Sequence, residues 1–268
     1  MSVEIDLEGM RIIVTASSRG IGFNVARELL KRNARVVISS RNLENLKRAK
    51  KELEEVGEVY AVRANLYDQR ELENLVKTSW ELLGGIDTLI WNAGNVRCEP
   101  CFLHEAEYMD WLEAAALHSV APGYLTTLLV QTWLEKKMKG TLIYLNSVSV
   151  KEPMPPLVLA DVTRAGLIQL AKSVSRTYGK YGIRAYSVLL GSFDTPGARE
   201  NLRKLADERG EFFEETWEKE VLSRTPLHRT GRWEELGSLV AFLLSKEAEY
   251  MLGSTVVIDG AMTRAVDI

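Results

Sequence analysis

The sequence predicts an α/β chain: a doubly wound, parallel, seven-stranded sheet with helices on both faces. Two observations lead there. Short apolar runs alternate with amphipathic stretches from residue 11 onward, and a glycine-bearing turn joins the first apolar run directly to the first amphipathic stretch. With 268 residues and 46% hydrophobic content, the chain is long enough to bury a large core, and one domain over 1–268 is expected.

The first run, 11–16, carries Ile12, Ile13 and Val14, and the amphipathic stretch 21–32 follows it. A second run at 34–39 (Val36, Val37, Ile38) precedes a helical pattern at 43–56, and a third at 59–63 precedes one at 69–83. The fourth, 87–91, leads to the longest helical pattern, 111–137. Runs at 141–146, 184–190 and 254–258 complete the seven strands, with helical patterns at 160–180 and 233–245 between them. Each run is too short and too apolar or β-branched to compete as a separate helix, and leucine, isoleucine, valine and alanine recur at three- and four-residue intervals in the longer stretches. Only 192–224 departs from the alternation. It is rich in charge, carries Phe212, Phe213 and Trp217, and follows a strand end. Ligands of open α/β sheets bind at the carboxyl ends of strands, so 192–224 is a candidate substrate lid.

The balance of 34 Lys+Arg against 37 Asp+Glu leaves no basic excess, which argues against nucleic acid and anionic membranes as partners. The opening MSVEIDLEGMRIIVTA has acids where a secretion signal needs basic residues, and no later segment reaches transmembrane length. Two cysteines, Cys98 and Cys101, are too few for a disulfide framework. A cytoplasmic location is expected. The Cys98-Glu99-Pro100-Cys101 spacing suits redox or metal chemistry, but a zinc ion needs ligands the local sequence does not supply. No metal site is expected, and the thiols read as packed and free.

Thr15-Ala16-Ser17-Ser18-Arg19-Gly20-Ile21-Gly22 lies between the first strand and the first helix. Gly20 and Gly22 allow close backbone approach, and N–H groups at a helix start suit a pyrophosphate. With these residues the chain resembles the short-chain dehydrogenase/reductase family, whose turn reads Thr-Gly-x-x-x-Gly-x-Gly; Ala16 stands at its first glycine. Trp91-Asn92-Ala93-Gly94 is similar to the family's Asn-Asn-Ala-Gly, and segments 226–235 and 253–260 are similar to its closing segments. The resemblance covers nearly the whole chain. It implies a Rossmann-type fold and a nicotinamide dinucleotide cofactor, with Asn92, Ala93 and Gly94 beside the adenosine ribose. It also implies a homodimer or homotetramer built through the long helices at 111–137 and 160–180.

A bare ribose is usually held by an acid after the second strand, whereas a 2′-phosphate calls for arginine. Here the second strand ends in Ser39-Ser40-Arg41-Asn42, with no acid, and Arg19 sits in the glycine turn. NADP(H) is therefore expected in preference to NAD(H), clamped by Arg19 and Arg41. By resemblance Asn65 faces the adenine, while Gly191, Phe193 and Thr195, in a segment similar to the family's Pro-Gly-x-x-x-Thr, lie beside the nicotinamide.

The family protonates the alkoxide left by hydride transfer with a tyrosine, assisted by a lysine four residues later, a serine and an asparagine. Ser147 matches the serine. The tyrosine position is Ala160, the lysine position Arg164 and the asparagine position His118. Arg164 can bind ribose hydroxyls but cannot pass protons on. His118 has an ordinary pKa suited to proton transfer, and is expected either to act with Ser147 or to be a buried histidine satisfied by its surroundings. Asp161 is a weaker candidate acid. Two functions compete: an NADP(H)-dependent oxidoreductase acting on a small alcohol, sugar or carbonyl compound with unusual proton handling, and a non-catalytic or regulatory dinucleotide-binding protein.

Overall fold

The computed structural model describes residues 5–265. Its strands are β1 (Arg11–Val14), β2 (Arg35–Ser40), β3 (Val59–Arg63), β4 (Thr88–Trp91), β5 (Gly140–Ser147), β6 (Ile183–Leu190) and β7 (Thr255–Ile258). They form one seven-stranded parallel sheet in the order β3-β2-β1-β4-β5-β6-β7. The expected fold class is therefore observed.

Alternation along each strand builds two cores. Ile12, Val14, Val36 and Ile38 face one side, where α1 (Gly20–Leu30), α2 (Leu43–Glu54) and α10 (Trp233–Leu244) cover them with Leu29, Leu46 and Val240. Ile13, Val37, Leu142 and Tyr144 face the other, under α3 (Gln69–Leu83), α5 (Ala121–Glu135) and α7 (Gly166–Tyr178), which contribute Leu75, Leu129 and Val174. Strands buried on both faces need apolar residues at successive positions, and for that reason the runs read as continuous rather than alternating.

Local chemistry sets the helix ends. Asn42 accepts from the N–H of Asn45 to start α2, and Asp68 accepts from those of Arg70 and Glu71 to start α3. Gly84, at φ 71°, ends α3 in the left-handed conformation. Helix α1 differs, because its cap residue Arg19 makes no side-chain bond to the first turn.

Three stretches differ from the expected ranges. The pattern at 111–137 becomes α4 (Tyr108–Ala115), a π-helical turn at Ala116–Val120, and α5. Pro122 has no N–H for the carbonyl of His118, and the wider turn absorbs that mismatch. The pattern at 160–180 divides into α6 (Val158–Arg164) and α7. Segment 192–224 folds as α8 (Pro196–Arg209), α9 (Phe213–Trp217) and a π-helical turn at Glu218–Leu222, with Arg199 stacked 4.9 Å from the Trp217 ring.

Candidate active site

A cleft of about 560 Å³ opens at the carboxyl ends of the strands, where the strand order reverses on either side of β1. Ala16, Ser18, Arg19, Gly20 and Ile21 of the turn after β1 form its floor. Ser40 and Arg41 after β2, Asn65 after β3, and Asn92, Ala93 and Gly94 after β4 form its walls. Thr195, Gly197 and Glu200 close it from α8, so part of the expected lid borders the cleft.

The turn suits a phosphate on grounds of space and hydrogen bonding. Gly20 has φ 62°, and a Cβ on Gly22 would stand 2.8 Å from both the Ala16 carbonyl oxygen and Asn92 Nδ2. Asn92 fills that space by donating to the carbonyls of Ala16 (3.1 Å) and Thr15 (3.3 Å). The first N–H groups of α1 lack a side-chain cap, leaving them for an anion. These residues fit a dinucleotide.

Several predicted cofactor residues shape the cleft from behind instead of lining it. Thr15 is buried and donates to the Asn92 carbonyl at 2.7 Å, tying β1 to β4. Buried Ser17 donates to the Val14 carbonyl at 2.7 Å and accepts from the N–H of Ser39 at 2.9 Å, tying β1 to β2. Gly191 allows close passage of Asp259, whose Cα would stand 2.6 Å from an added Cβ. Phe193 is buried, stacked on Trp233 with ring centroids 5.2 Å apart, and it is absent from the cleft wall. A ring without polar atoms is held there by the apolar base of α10.

At the catalytic positions, Ser147 ends β5, and its Oγ accepts from the N–H of Ser149 (3.1 Å) and from Ser149 Oγ (2.8 Å). Both bonds are accepted, so the Ser147 proton remains to be donated. Ser149 also borders a second, mostly apolar cavity of about 380 Å³ with Phe102, Met154, Val158 and Asp161. Asp161 Oδ2 accepts from the N–H of Met154 at 2.8 Å, while its buried Oδ1 has no partner, and burial pushes its carboxyl above the ordinary range.

His118 is 1% exposed. Thr163 Oγ1 gives its proton to the Leu159 carbonyl (2.7 Å), so it accepts from Nδ1–H of His118 at 3.0 Å. That tautomer leaves Nε2 as acceptor, and Arg164 Nε donates to it at 3.3 Å. Arg164 also reaches the Gly94 carbonyl with a terminal nitrogen at 3.4 Å. Burial, reinforced by the Arg164 charge, pushes the His118 pKa down to about 3. Of the two expectations, His118 fits the buried histidine satisfied by its surroundings. It is a neutral imidazole that orients Arg164.

Over residues 15–263 the chain matches the family model described as enoyl-(acyl carrier protein) reductase. A tropinone reductase homolog of Arabidopsis thaliana is 30% identical over 262 residues, covering 96% of this chain and 80% of the relative. The chain belongs to the short-chain dehydrogenase/reductase family. Within that family it is also 30% identical, over 251 residues, to dehydrogenase/reductase SDR family member 4 of Pongo abelii, covering 92% of this chain and 85% of that one. Among solved structures, L-sorbose reductase from Gluconobacter frateurii, complexed with NADPH and L-sorbose, superposes with a TM-score of 0.90 at 26% identity, covering 98% of this chain and 100% of that one. As a member of the family, the chain is an NAD(P)-dependent oxidoreductase.

This short-chain dehydrogenase/reductase contains a site residue that sequence reasoning passed over. Glu99 is 5% exposed, borders the cleft, and accepts the N–H of Ala160, at the family's tyrosine position, on Oε1 at 2.6 Å. Its sequence signal was masked by the flanking cysteines. Those cysteines are free, and the hydrogen bond with Cys101 pushes the Cys98 thiol up to about 12, which makes it a poor nucleophile at neutral pH. Among the described residues, no group of three or more His, Cys, Asp or Glu could hold a metal ion, and no helix is long and apolar enough to cross a membrane. Tyr67 and Glu200, also missed, stand in the cleft wall on residues whose types carried no motif.

Proposed function

We propose that this enzyme is an NADP(H)-dependent reductase of a small carbonyl compound, a ketone or sugar, whose proton transfer does not use a tyrosine. The observation that carries the cofactor choice is the lining of the cleft: Arg19 and exposed Arg41 border it after β1 and β2, and no carboxylate occupies positions 39–42. A 2′-phosphate placed there would meet two guanidinium groups, whereas a 2′-hydroxyl would find no acid to accept its bond. Arg19 is paired with Glu200 of α8 at 3.0 Å, both groups being exposed. Binding of a phosphate would exchange that weak pair for a stronger one, linking α8 to cofactor entry.

The main-chain N–H groups at the start of α1 would hold the pyrophosphate, Asn65 and the 92–94 turn the adenosine side, and Arg164 the second ribose. Bound reduced cofactor supplies a hydride. Ser147 donates its remaining proton as a hydrogen bond to the substrate carbonyl oxygen, polarising it. Arg164, kept in place by His118 and Gly94, contributes positive charge near the alkoxide that forms. The sugar reading draws support from the L-sorbose reductase, and the mostly apolar cavity beside Ser149 supports a ketone with apolar substituents.

Exposed Leu112, Val120 and Val162, on α4, the π-helical turn and α6, support assembly with further copies of the chain through these helices. The decisive experiment is an equilibrium titration with NADPH and NADH, followed by turnover of a panel of ketones and ketoses. Tighter binding of NADPH with turnover is expected; equal affinities would refute the cofactor preference, and no turnover with cofactor bound would refute the activity.

A further inference from the structure

We propose that Glu99 takes over from the missing phenol, giving its proton to the substrate oxygen in reduction and receiving it in oxidation. The inference rests on the reductase activity proposed above.

The loop that carries Glu99 follows β4 and is fixed to the segment before α6. Cys101 N–H donates to the Pro156 carbonyl at 2.9 Å, and Cys101 pairs with Leu157 in a single parallel bridge. This places the Glu99 carboxyl against the N–H of Ala160 at 2.6 Å. A carboxyl group from the β4 loop thus meets the main chain of the residue that stands at the family's tyrosine position. Ala160, 1% exposed, has no side chain beyond Cβ to compete for the space. Glu99 shares the wall of the candidate cofactor cleft with Gly94, Asn95 and Thr195.

Its surroundings balance the two protonation states. Burial raises the Glu99 pKa above the ordinary carboxylate range and Asp161 adds to that, while the Ala160 N–H and the Arg164 charge pull it down. His118, the other titratable group beside Arg164, is neutral and does not alter the balance. A neutral acid is thereby available, and its conjugate carboxylate is still stabilised once formed. In reduction the hydride from reduced nicotinamide forms the new C–H bond, the carbonyl π pair moves to oxygen, and the Glu99 O–H bond breaks as the oxygen takes the proton. Solvent water then reprotonates the carboxylate.

Glu99→Gln separates this role from a structural one, because the amide oxygen still accepts the Ala160 N–H but has no proton to give. We expect kcat to fall about 10²–10⁴-fold, with NADPH affinity unchanged and KM little changed. Glu99→Asp, which keeps an acid on a shorter stem, should recover part of the loss. The wild-type decline in reduction rate as pH rises through the Glu99 pKa should be absent in Glu99→Gln. An independent readout needs neither cofactor nor turnover: infrared titration of Asp161→Asn, which removes the other carboxyl raised by burial, should show a protonated carboxyl band that persists above the ordinary carboxylate range and disappears when Glu99→Gln is added. Survival of that band in the double variant overturns the assignment. So does full turnover by Glu99→Gln, which leaves the proposed activity standing, whereas a wild-type protein that binds NADPH but turns over no substrate overturns both.

Discussion

Arg164 Nε donates to His118 Nε2 at 3.3 Å, so two residues that depart from the family's identities form one contact. A lysine at 164 is a compact point charge on a flexible stem, whereas the planar guanidinium can bond His118 and the Gly94 carbonyl together. The imidazole can accept only while it is neutral, and a charged one would face the guanidinium. The two substitutions are therefore physically coupled.

Acid sensitivity follows from that contact. The folded-state pKa of His118, about 3, lies below the ordinary 6.5, so the unfolded chain binds the extra proton between those values. The stabilising contribution is complete above about pH 6.5 and declines as pH falls toward 3, by up to about 1.4 kcal/mol per pH unit. Glu99 and Asp161, with raised pKa values, act in the opposite sense. Comparing His118→Asn with wild type cancels their effect. Urea unfolding at pH 7 and 5 should show a smaller acid loss for the variant, and equal losses would contradict a buried neutral imidazole.

Restoring the family's tyrosine should be costly. Ala160 is 1% exposed and its N–H bonds the Glu99 carboxyl, so Ala160→Tyr forces side-chain volume into a packed site beside Glu99. The expected destabilisation is about 1–3 kcal/mol. In a double-mutant cycle with Glu99→Ala, the combined loss should be less than the sum of the single losses. Additive melting data would show that the two side chains do not share that space.

Cofactor discrimination should reside at Arg41. Its removal in Arg41→Ala deletes a charge-assisted bond worth about 1.5–3 kcal/mol, so NADPH binding should weaken by roughly 10- to 100-fold with NADH affinity almost unchanged. Glu200→Gln, which releases Arg19 from its ion pair, should instead tighten NADPH binding. Fluorescence titration of both nucleotides checks the two directions together.

Ala16 occupies a left-handed conformation, φ 46°, that favours glycine. Relief of about 1–2 kcal/mol of backbone strain, less about 0.5–1 kcal/mol for glycine's greater unfolded-state freedom, leaves Ala16→Gly stabilising by up to about 1.5 kcal/mol. A melting temperature below that of wild type would show that the methyl group makes compensating contacts.

The apolar periodicity by itself determined the sheet, because strands such as β1 and β2 are buried on both faces and need successive apolar residues at Ile12, Ile13, Val14 and Val36, Val37, Ile38. The glycine turn and the 92–94 segment were equally legible, since Gly20 and Gly22 answer local backbone demands that leave a mark in sequence. Orientation was not: Thr15, Ser17 and Phe193 look inward because of partners on other strands and on α10, and no spacing along the chain records that. The departure at Ala160 was visible as an absence. Only the tertiary structure decided what meets the main chain at that position, because it brings together a carboxyl and a backbone N–H from residues 99 and 160, which are 61 positions apart in the chain. The same long-range packing separates the two readings the sequence left open for His118, since its pKa depends on burial and on Arg164 rather than on its neighbours in sequence.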